Sequence, residues 1–168
     1  DREIQILDIS HLPGFEILDR IELDYLSYEN EMIILDNLIY IINGWGITIL
    51  DISNPRNPER LSEYDFWIGR HTNTDISNNI GCIMGSGSWP TFFDLADAEI
   101  IQRSAVFELD FSDLSNPYYY DNQVFVFDEG RGLRVFDVTD PEEIRLEAIK
   151  EWDIWRNSQI QVIDDIMY

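Results

Sequence analysis

A phrase that this chain writes more than once limits its fold more than any other feature. GITILDISNP at 46–55 returns as GLRVFDVTDP at 132–141, 86 residues later, and looser copies stand at 4–10 (IQILDIS) and 91–97 (TFFDLAD). Asp8, Asp51, Asp94 and Asp137 therefore recur every 43 residues. A second column keeps the same register: Leu23, Phe66, Leu109 and Trp152 are apolar, and each follows an acid, Glu22, Asp65, Glu108 and Glu151. Ile33, Ile76, Tyr119 and Val162 form a third column. Such a chain builds one supersecondary unit several times and buries each copy against its neighbours.

Within one unit the pattern predicts four short strands: Glu31 to Leu35, Leu38 to Ile42, Ile47 to Ile52 and Arg60 to Phe66. The first two are apolar runs and the third alternates around the motif. Asn43-Gly44-Trp45-Gly46 and Ser53-Asn54-Pro55 supply turn formers between them, repeated near 128–132 and 139–141. The copy at 85–97 keeps glycine, as GSGSWP, but has no proline in DLADAE, so it is the degenerate unit. Four strands in about 43 residues is the length of one propeller blade. The fold expected is all-β, a β-propeller of four-stranded blades over residues 1–168. The blade units run about 25–67, 68–110 and 111–153, with a shared or incomplete blade from 1–24 plus 154–168. A closed four-bladed ring and a slice of a larger propeller both fit this arrangement. A β-sandwich or β-solenoid could use the same strands.

The motif L-x-I-x-D-[IV]-[ST]-[ND]-P after a glycine-rich hairpin resembles that of the LVIVD-repeat proteins. GITILDISNP and GLRVFDVTDP match best; the first copy has Leu12 at the turn-proline place and Pro13 one later. The resemblance implies a β-propeller in a secreted or surface-exposed protein, and it implies no reaction.

Charge narrows the partners. Thirty-three acids face 11 basic residues, for a net charge of −22, and Lys150 is the single lysine. Such a surface repels phosphate backbones and anionic bilayers, which argues against nucleic acid. No apolar run approaches the ~20 residues of a helical membrane span, so direct membrane insertion is not expected. The start at Asp1 and the strand-like run ending at Tyr168 suggest a processed or trimmed piece. With Cys82 alone and two histidines, His11 and His71, neither an internal disulfide nor a His-rich metal site is available.

The repeat aspartates are read as structural, each accepting backbone N–H groups from the turn that follows. Asp110-Phe111-Ser112-Asp113-Leu114-Ser115-Asn116 offers closely spaced oxygens for calcium but lacks the glycine and terminal glutamate of an EF-hand loop. No other cofactor is expected. No GxSxG context or comparable constellation points to catalysis. Cys82, within GCIMG, reads as a small core residue. The connections between blades are more informative: FWIGRHTN at 66–73 and WDIWRNSQ at 152–159 place Arg70 and Arg156 equivalently, 86 residues apart. Loops of this kind lie near a propeller's channel mouth, where partners dock. The expected binding face therefore carries Trp67, Arg70, His71, Trp155 and Arg156, its arginines offering an anionic group a foothold or pairing with local acids such as Asp65 and Asp153. The functional expectation is a non-catalytic extracellular or cell-surface module that binds a protein partner or joins a larger assembly. A cation-dependent or hydrolytic module using the channel mouth is the alternative.

Overall fold

The computed structural model describes residues 3–23, 30–67, 71–85, 89–108, 117–128, 132–151 and 160–167, with the side chains of 71, 72 and 128 left out. The described residues hold strands and turns and no helix. Chain contacts divide the molecule into two compact units, Asp1–Trp67 and Ile68–Tyr168.

In the first unit, β1 (Glu3–Asp8) pairs with β2 (Glu16–Glu22) as a two-stranded sheet. A four-stranded meander follows, made of β3 (Asn30–Leu35), β4 (Leu38–Asn43), β5 (Gly46–Asp51) and β6 (Glu59–Asp65). The second unit holds two more such meanders. One runs through β7 (His71–Ser77), β8 (Ile80–Gly85), β9 (Thr91–Asp94) and β10 (Gln102–Val106). The other runs through β11 (Tyr118–Tyr120), β12 (Gln123–Asp128), β13 (Gly132–Asp137) and β14 (Arg145–Lys150). The short hairpin β15 (Val162–Ile163) and β16 (Ile166–Met167) comes last. All pairings are antiparallel, and the strands expected in the first meander are found within one residue of their ends.

Burial explains why the second strands read as unbroken apolar runs. Every residue of β8, and every residue of β4 after Leu38, is buried, so both faces of these strands are covered and no polar alternation is possible. In the first unit Leu23, Ile39, Ile41 and Leu50 form the core, with Ile4 and Ile21 of the β1–β2 sheet packed on it. In the second, Ile80, Cys82, Met84 and Phe92 meet Val124, Val126 and Phe136 of the next meander. Phe92, Phe107 and Phe136 form an aromatic trio with ring centres 4.8 to 5.8 Å apart, the spacing of favourable tilted and edge contacts.

Side chains also stitch neighbouring first strands. The Asp75 carboxylate accepts the Tyr119 N–H at 2.7 Å, and the Tyr118 hydroxyl accepts the Val162 N–H at 3.3 Å. Both donor and acceptor positions recur at an interval of 43, so the same contact is made twice with different chemistry.

Two features depart from the expected register. The loop between β4 and β5 holds two residues, and that between β12 and β13 holds three. Leu38 to Asp51 therefore spans one residue less than Ile80 to Asp94 or Gln123 to Asp137. An extra residue before the hairpin restores the period, so the third column is shifted: Ile34, not Ile33, is equivalent to Ile76, Tyr119 and Val162. The glycines were also expected to serve the turn itself. Of these glycines, Gly46 and Gly132 do carry positive φ, but they follow the turn and open the third strand. A Cβ there would run into the carbonyl of Tyr64 or Lys150 on the neighbouring outer strand. This close approach explains why both well-preserved copies of the phrase begin with glycine. The middle copy has Trp89 at the corresponding place, and its third strand shortens to four residues.

Gly132→Ala therefore combines φ +111° with a backbone collision. It should lower unfolding free energy by about 2 kcal/mol or more, seen as a lower urea midpoint at unchanged slope. A variant as stable as the parent would mean that the outer strand does not approach so closely.

Candidate functional site

Each repeat aspartate closes the turn after its strand. Asp8 accepts the Ser10 N–H at 2.8 Å, Asp51 that of Ser53 at 2.7 Å, and Asp94 and Asp137 those of Ala96 and Thr139 at 2.9 Å each. A second turn follows at once. The carbonyls of His11, Asn54, Asp97 and Asp140 accept the N–H three residues on, again every 43 residues. Asn54, Asp97 and Asp140 also accept the N–H two residues on through their side chains. Pro55 and Pro141 occupy the next position, where a fixed φ suits a β-turn. The motif DISNP is thus two nested turns that return the chain to the outer strand.

The first meander carries a cleft at the other end of its strands, lined by Leu23, Ile41, Asn43, Trp45, Gly46, Ile47, Thr48, Glu63 and Asp65. Register explains the convergence: Ile41 stands opposite Thr48 and Thr48 opposite Glu63, while Asn43, Gly46 and Asp65 form the next row. Because Gly46 has no side chain, the row beside Asp65 stays open. The Asn43 side chain accepts the Trp45 N–H at 2.8 Å, and the Trp45 carbonyl accepts the Phe66 N–H at 2.9 Å. This fixes Trp45 at the hairpin tip, where its indole tilts against that of Trp67 with ring centres 4.6 Å apart. Both tryptophans are exposed, at 52% and 68%. Arg60 bridges Glu63 at 3.0 Å and donates to the Glu22 carbonyl at 3.1 Å, tying β6 to β2.

Of the expected binding face, Trp67 lies beside this cleft and His71 opens β7, its backbone opposite Gly85. Arg70, Trp155 and Arg156 lie outside the described residues, as does the calcium candidate Asp110–Asn116. The described surroundings of Trp67 are acidic, with Glu63 and Asp65 preceding it at alternate positions at the end of β6. Sequence reasoning missed Trp45, Thr48 and Glu63, and named Asp65 only as an acid that could pair with the arginines. The available signal was a bulky aromatic at a two-residue hairpin tip, a place that favours small polar residues. Cys82 is buried, and burial, followed by the negative charge of Asp75, pushes its thiol pKa well up. No three His, Cys, Asp or Glu side chains gather into a metal-binding group among the described residues.

No family model matches this chain, and no curated protein matches it. Solved structures do. The chain is similar to the computationally designed Ika4 protein at a TM-score of 0.62 and 14% identity, over 87% of each chain. It matches the designed Ika8 protein at 0.61 and 13%, covering 87% of this chain and 44% of that one. The N-terminal domain of Nup159 follows at 0.50 and 11%, covering 73% and 30%. These are propeller folds, and the repeated antiparallel meanders agree: the chain is a β-propeller.

Hydrogen bonds within the turns, to Ser10 for Asp8 and to Thr139 for Asp137, hold both carboxyl groups below their ordinary range. A folded-state pKa below the unfolded one contributes stability above the unfolded value and loses it as pH falls through the folded value. The melting temperature should therefore drop as pH falls below about 4, and Asp137→Asn, which keeps an acceptor oxygen but cannot ionise, should flatten that part of the profile. An identical profile in the variant would remove Asp137 from the acid response. The Cys82 thiol should react with an aromatic disulfide reagent only in denaturant; prompt labelling of the native protein would contradict its burial.

Proposed function

We propose that this chain is a non-catalytic propeller module that binds a protein partner outside the cell or at its surface. The observation that carries the reading is the exposed Trp45–Trp67 pair beside a cleft. Tryptophan combines large apolar area with few rotatable bonds, which is why it is enriched among interface hot spots. Two indoles held against each other in a tilted contact at the end of a sheet hold each other in place, so binding them loses little further entropy. The resemblance of the repeat to LVIVD-repeat proteins supports the surface location, and the net charge of −22 suits an exposed, soluble surface.

The test replaces Trp45 and Trp67 by alanine together. The melting temperature should change little, because both side chains project into solvent. Affinity for a partner isolated from the native source with the unaltered chain should fall about thirtyfold or more. Undiminished affinity in the folded double variant would overturn the assignment. Calcium and chelator should leave the melt unchanged; a calcium-dependent shift would favour a cation-dependent module instead.

A further inference from the structure

We propose that the cleft under Trp45 receives the ammonium group of a partner's lysine side chain, set between the indole and the Asp65 carboxylate. This deepens the binding-module reading and rests on it. Three observations lead to the ligand's chemistry.

Size comes first. The cleft leaves room for about one water-sized group. A primary ammonium has that size, whereas a guanidinium is a broad planar fork. Second, the walls suit a cation. Trp45, about half exposed, offers aromatic surface to an alkyl stem and its charged head, and Thr48 and Asp65 offer oxygens, whereas Leu23 and Ile41 are buried beneath them. Glu63 already bridges Arg60, but no described residue gives Asp65 a counter-ion. Third, the repeat places a cation at the equivalent position of another meander. Arg134 stands in the third meander where Thr48 stands in the first, 86 residues earlier. Register puts it opposite Val126, as Thr48 is opposite Ile41, and it is buried. The third meander thus accommodates a basic side chain from its own sequence at this place, and the first has a small residue and an opening there. The net charge of −22 then draws a basic partner segment toward the surface before the cleft selects among its side chains.

The probe is a blocked Gly-Lys-Gly tripeptide, followed through the indole N–H resonances of Trp45 and Trp67 in the whole chain. Expected are saturable shifts of both resonances, absent with the Nε-acetylated tripeptide and weaker with Gly-Arg-Gly. Asp65→Asn should weaken binding about two- to fivefold, and Trp45→Leu should do the same. Trp45→Phe, which keeps a π-face, should restore part of the loss. Glu59→Gln removes one charge from the far end of the same strand and should leave binding unchanged. The proposal is overturned if the acetylated peptide shifts the indoles equally, if Glu59→Gln weakens binding as much as Asp65→Asn, or if the lysine peptide shifts neither indole. In any of these cases, an isolated partner that still requires Trp45 and Trp67 would preserve the binding-module reading while removing lysine as its ligand.

Discussion

Coverage of both faces of the second strands is the constraint on which the other features depend. An isolated sheet with both faces apolar cannot exist in water, because the driving force for burial scales with the apolar area left exposed. Ile80, Cys82 and Met84 along β8, together with Phe92 on β9, find their cover in Val124, Val126 and Phe136 of the following meander. The β1–β2 sheet does the same for Ile39, Ile41 and Leu50. Within each unit a sheet is covered by the one beside it in sequence, and this is the physical meaning of a repeated sequence.

Repetition of the backbone is stricter than repetition of the side chains. Every outer strand carries one β-bulge, with Leu18, Leu61, Ser104 and Glu147 each left out of the pairing, again 43 residues apart. Three kinds of side chain at four positions, apolar, hydroxyl and charged, share one irregularity. The shared element is the nested turn ahead of it, which delivers the outer strand at a fixed angle; the bulge then adds the bend and twist that the strand needs beside its neighbour. The first hairpin can lose a residue from its loop without disturbing this, because the aspartate turn and the bulge lie beyond it.

Acidity and aromaticity divide the surface between them. Arg20, Arg56, Arg60 and Arg145 are each engaged by a glutamate in exposed pairs that are individually worth little. They reduce the field locally and leave a strongly negative molecule. Against that field, the tryptophan pair is the described feature with both apolar area and a fixed geometry, and its position at the strand end next to Asp65 gives it a chemical preference that neither group has alone.

The number of strands per repeat, their order and the structural part played by Asp8, Asp51, Asp94 and Asp137 were legible in the chain, because they follow from local chemistry. Apolar runs form strands, and Asp or Asn with a following proline forms turns, wherever they are placed. The bulge positions were not legible: Leu61 and Glu147 share no side-chain property, and the irregularity arises from two strands fitting each other. The true register of Ile34 was hidden for a related reason, since an added residue and a lost one cancel in the period and only strand pairing separates them. The cleft was hidden too. Trp45, Thr48 and Asp65 sit on a turn and two strands, and only cross-strand pairing brings such distant residues into one row or the next. Glycine at 46 shows this most directly: its sequence context suggested a turn requirement, yet its necessity comes from the carbonyl of Tyr64, a contact that exists only once β5 and β6 lie side by side.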